Sequence, residues 1–145
     1  MIVAPRKRLE EVRQAVFVLH KALVDSERIS YEQVVGTIQS PNHFLQLLTT
    51  DPWFAWLQPL SQLIVSMDEA LDEKEPLTST FVDAALKRTQ LLLAPSETSE
   101  GFSRHYFDAL QRDPDVIIAH SEVMKLFRKP KTRSLPRPSP PRSGD

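Results

Sequence analysis

Two tryptophans three positions apart, four histidines and one dense acidic run are the parts of this 145-residue sequence with the clearest chemical potential. Trp53 and Trp56, with Phe54 and Leu57 between and beside them, have the spacing that brings side chains to one side of a helix, where they could line an apolar or aromatic ligand pocket or pack into a core. Of the histidines His20, His43, His105 and His120, two (His20 and His120) fall on or beside apolar stripes, as a buried metal or haem ligand would. The paired Glu-x-x-His motifs of a di-iron bundle and the His-Glu-x-x-His of a zinc protease are both missing, so the expected state of these rings is a core histidine bonded to a neighbouring acceptor. Trp53, Trp56, His20 and His120 are therefore weak candidates for cofactor binding. No metal site and no cofactor are assigned.

The acidic run Asp68, Glu69, Asp72, Glu73, Glu75 stacks carboxylates at i, i+4, a spacing that could hold a hard cation. It ends a helix, lacks the glycine-bearing loop of a calcium site and contains Lys74, so it reads as a solvated face, open to contact with a basic partner or with the chain's own basic end. Only three glycines are present, at positions 36, 101 and 144, which excludes a phosphate-cradling loop, a dinucleotide fingerprint and a nucleophile elbow. There is no cysteine, hence no thiolate metal site, disulfide or cysteine nucleophile. Ser61 and Ser66 have no identifiable catalytic partners, so the reading leans away from an enzyme and leaves the question open.

The elements that must position these residues are helical. Leu9, Val12, Val16, Leu19 and Leu23 recur at steps of 3 and 4, predicting a long first helix from near Pro5 to about Val35, with Gly36 as its stop. Ser30 with Gln33 forms a rival capping-box signal for a new start inside it. Ser40-Pro41, Asp51-Pro52 and Asp113-Pro114 each set a capping oxygen before a proline whose missing N–H costs nothing in a first turn, and Thr78 caps a fourth helix that runs to Pro95. Pro59 must bend or divide the segment after Asp51, because an interior proline removes a hydrogen bond. Phe102, Tyr106, Phe107 and Leu110 mark a helix ending near Arg112, and Ile117, His120, Val123 and Phe127 mark the last. No stretch alternates long enough for a strand, so the expected fold is all-α: a single bundle of about four to six helices with short loops.

Apolar residues make up 41% of the chain and charged ones 26%, which suits one soluble domain able to fold on its own core. The formal net charge of −1 conceals a division. Residues 1–124 carry 11 basic against 18 acidic side chains, a balance of −7, whereas 125–145 carry 7 against 1, a balance of +6. The proline-rich sequence from Lys129, without an aromatic residue, predicts a helical domain at 1–128 and a disordered basic tail at 129–145 of partly polyproline II character, with a minimal PxxP at Pro138 to Pro141. Lacking aromatics to stack on bases, the tail predicts at most weak, salt-sensitive attraction to nucleic acid and no specific recognition. The apolar stretch from Pro52 to Met67 is too short for a membrane span, and the start of the chain lacks a signal-peptide core, so the expectation is a soluble, cytoplasmic protein.

The run DPWFAWLQPLSQLIVSMDE at 51–69, preceded by SPNHFLQLL at 40–48, resembles a signature shared by a family of small uncharacterised bacterial helical proteins. The resemblance extends to about Phe127 and omits the tail. It implies a bacterial origin and a helical fold, with no activity, cofactor or partner to carry over. Two functions compete on this sequence: a protein-interaction or scaffold module with an unknown protein partner or a second copy, and a small-ligand or cofactor-binding bundle, haem and metal included, built on Trp53, Trp56 and a buried histidine.

Overall fold

The computed structural model describes residues 4–128, and among these there are six α-helices, one 3-10 segment and no strand. The helices are α1 (Pro5–Val34), α2 (Pro41–Thr50), α3 (Gln58–Asp72), α4 (Ser79–Leu92), α5 (Phe102–Arg112) and α6 (Pro114–Arg128), with the 3-10 segment at Pro52–Leu57. The expected all-α bundle with short loops is the observed fold. The stretch read as a basic tail, 129–145, lies outside the described residues.

The capping chemistry places the helix starts. Ser40 Oγ accepts from the His43 amide at 3.0 Å, Asp51 from Trp53 at 2.8 Å, Thr78 from Phe81 at 3.1 Å and Asp113 from Asp115 at 2.9 Å. At Ser30 the rival capping signal loses. Helix α1 runs on through it because Tyr31, one residue later, is buried with its ring 5.6 Å from Trp53 and 5.5 Å from Phe54. The stop comes at Gly36, whose φ of 153° is open to glycine and strained for other residues.

Pro59 divides its segment as its chemistry requires. It cannot donate an amide to the Ala55 carbonyl four residues back, so that carbonyl receives the Gln58 amide instead and the run from Pro52 closes as a 3-10 turn. Pro59 itself then falls in the first turn of α3, where no donor is needed.

Helix α1 is the axis of the bundle, packing most extensively on α6 and α3 and also on α4 and the 3-10 turn. Leu9, Val12, Val16, Leu19 and Leu23 are all buried along it. A second stripe runs beside this seam at steps of seven: Arg6, Arg13, His20 and Glu27. Each reaches another element. Arg6 Nη2 donates to the Leu71 carbonyl at 2.7 Å, capping the C-terminal end of α3, and Arg13 pairs with both Asp68 oxygens at 2.7 and 3.1 Å. His20 meets Ser61 and Glu27 meets Arg112. The order 6, 13, 20 on α1 against 71, 68, 61 on α3 makes these helices antiparallel. Asp68 thus leaves the acidic run read as wholly solvated and becomes half of an interhelical ion pair.

Candidate functional site

The 3-10 turn holds Phe54 and Leu57 in the core and leaves Trp53 and Trp56 half-buried, one turn apart at the surface of the bundle. Helix α5 faces them. His105 stacks on Trp56 with ring centres 5.1 Å apart and planes inclined by 16°, while Phe102 lies 5.4 Å from the same indole. Trp53 stands edge to face with Tyr31 of α1. Between these elements is a cleft of about 330 Å³ lined by Trp53, Trp56, His105, Pro52 and Ser30, with Glu27, Asp108 and Arg112 supplying its charges.

The charged lining is held in place. Arg112, the last residue of α5, donates from Nη2 to Glu27 at 2.6 Å and from Nε and Nη2 to Ser26 Oγ at 3.2 and 3.0 Å. Glu27 is buried, so the ion pair is shielded from water on the carboxylate side. Asp108 is more exposed and is paired along its own helix with Arg104 at 3.2 Å.

Both indole Nε1 atoms are shut off from solvent and neither has an acceptor among the described residues. Two consequences follow. Each unpaired N–H costs about 1–3 kcal/mol that a phenyl ring in the same place would not. And because the nitrogen edges are covered, and His105 takes one face of Trp56, the indole surface left to an occupant of the cleft is carbon.

The structure does not bring His20 or His120 to this cleft. His20 Nε2 lies 2.8 Å from Ser61 Oγ across the α1–α3 interface, and no carboxylate among the described residues bonds its ring. A Ser–His contact without an orienting acid, set between two packed helices, ties those helices together. His120 Nδ1 lies 2.5 Å from the hydroxyl of Tyr106, a wholly buried residue whose pKa burial drives well above the ordinary phenol value. With His120 neutral and protonated on Nε2, that phenol donates to Nδ1. Burial holds both histidines below their ordinary pKa of 6.5. Both rings are half-buried rather than fully enclosed, and among the described residues no three His, Asp or Glu side chains are grouped to hold a metal ion. His43 spends Nδ1 accepting the Gln39 amide at 3.0 Å.

His105 was named among the four histidines without being made a candidate, and Glu27 and Arg112 were not singled out; patterns in the sequence bear on the first two, and none on Arg112. Phe102, His105, Tyr106 and Ala109 share one side of α5, and Glu27 is the last member of the seven-residue polar stripe on α1. Comparison with protein-family models, with curated proteins and with solved structures finds no match.

Proposed function

We propose that this protein is a binding module rather than a catalyst, that its site is the cleft between the Trp53–Trp56 turn and α5, and that its ligand is a small organic cation with a flat or methylated head. The carrying observation is the covered nitrogen edge of both indoles beside a cleft they line, so that what they offer a ligand is carbon surface, including the face of Trp56 opposite His105. Indole faces attract cations, by about 0.5–2 kcal/mol each depending on desolvation. Glu27 and Arg112 neutralise each other in the lining, which leaves Asp108, in an exposed pair with Arg104, as the carboxylate that can turn to a cation in the cleft. The volume is near the lower end of ligand sites, so the ligand is small.

Both tryptophans of the chain line the cleft, so intrinsic fluorescence reads it directly. Titration with phenyltrimethylammonium should change the emission saturably. Trp56→Leu and Asp108→Asn should weaken that response while far-ultraviolet circular dichroism stays unchanged, and benzoate should have no effect. A flat titration, or tighter binding of benzoate, overturns the reading.

A second reading, a protein-interaction or scaffold module, is supported by apolar side chains exposed where α1 ends: Ile29, Val34 at 72% and Val35, with Leu45 exposed on α2. Its partner is another protein or a second copy of this chain, and sedimentation equilibrium that finds a monomer at every concentration removes the second copy.

A further inference from the structure

The geometry points to a seat for the chain's own basic end in the groove between α1 and α6, with Leu135 as its anchor. This inference is independent of the aromatic cleft. The groove, about 520 Å³, has Ala15 and Val18 of α1 and Ala119 and Leu126 of α6 among its lining, with three carboxylates, Glu10, Glu11 and Glu122, against the one ammonium of Lys7; Glu122 also pairs at 2.8 Å with Lys125 on its own helix. Val18, in this lining, is 49% exposed, so part of the groove's apolar surface stands open to solvent.

Three observations select the occupant. The groove begins where the described chain ends, because Leu126, two residues before Arg128, is part of its wall. The following residues, 129–145, contain a single apolar side chain outside proline, Leu135, set between Arg133 and Arg137. That arrangement matches an apolar floor whose lining is net acidic, with Glu10 and Glu11 on the α1 side. Reach is sufficient. The helix from Leu126 back to Ala119 spans about 10 Å, whereas seven residues at polyproline II rise span about 22 Å, so the length of chain from Arg128 to Leu135 is enough to reach Val18. Because the segment is tethered, its effective concentration is of millimolar order, so a single buried leucine aided by the net acidic lining suffices for occupancy.

The absence of cysteine makes the test direct. Ser139→Cys in the full chain takes one nitroxide, and the methyl signals of Ala15, Val18, Ala119 and Leu126 report its approach. These signals should lose most of their intensity, and should recover when Leu135→Ser is added or when salt is raised. Broadening that ignores Leu135→Ser shows a chain end that only diffuses nearby, and overturns the seat. Broadening centred on Leu77 and Phe81, beside the acidic end of α3, overturns it also. So does broadening of unlabelled copies mixed with spin-labelled ones, which would place the segment on a second molecule.

Discussion

A histidine held neutral by its surroundings makes folding sensitive to pH, and two such residues tie helices together here. Burial lowers the pKa of His20 and His120 from 6.5, so over the interval between the folded value and 6.5 the unfolded chain binds more protons than the folded one. Stability from these groups is complete above pH 6.5, falls as pH drops below it and levels off once the folded pKa is passed. Urea midpoints measured from pH 7.5 down to pH 5 should therefore decline, and the combined variant His20→Gln, His120→Gln should show a shallower decline than the parent. Equal slopes would mean that neither ring titrates differently on unfolding. The tryptophans belong to the same scale. Sequence treated them as core or pocket in the alternative, and the structure makes them both at once, half-buried and lining a cleft. What sequence could not carry was the state of the indole nitrogens, which depends on neighbours contributed by α1 and α5.

At the level of elements, the helix starts were legible because capping is local: Ser40, Asp51, Thr78 and Asp113 each satisfy an amide two or three residues on. The length of α1 was decided by Tyr31, Trp53 and Phe54, which are distant in sequence, and for that reason the local signals at Ser30 left it open. The polar stripe of Arg6, Arg13, His20 and Glu27 was present in the sequence at a regular spacing, but its meaning lay in partners on α3 and α5. Its last member gives the sharpest test. Arg112→Ala leaves the Glu27 carboxylate buried and unpaired, at a cost of about 3 kcal/mol, whereas Glu27→Gln removes the charge and keeps an oxygen that can accept from Arg112, and should cost about 1 kcal/mol. Chemical denaturation of the two variants checks the order. If Glu27→Gln proved the more damaging, the ion pair would be contributing net attraction beyond its desolvation cost.

For the whole molecule, the buried apolar set forms one cluster whose members run from Leu9 to Val123, contributed by every helix except α2 and by the 3-10 turn. A core built this way unfolds as a unit, since removing any one helix exposes its neighbours. No helix among the described residues is long and apolar enough to cross a membrane. The charge division of the chain is −7 over residues 1–124 and +6 over 125–145, and the buried cluster is already complete between Leu9 and Val123. A tethered segment favouring its groove tenfold adds about 1.4 kcal/mol, and because its basic groups act from the exposed surface that gain shrinks with salt. Ending the chain after Arg128 should accordingly keep unfolding cooperative, lower the melting temperature by a few degrees at low ionic strength, and leave no difference at high salt. Loss of a cooperative transition in the shortened chain would show that residues beyond 128 take part in the core, and an unchanged melting temperature at low salt would leave the groove without its occupant.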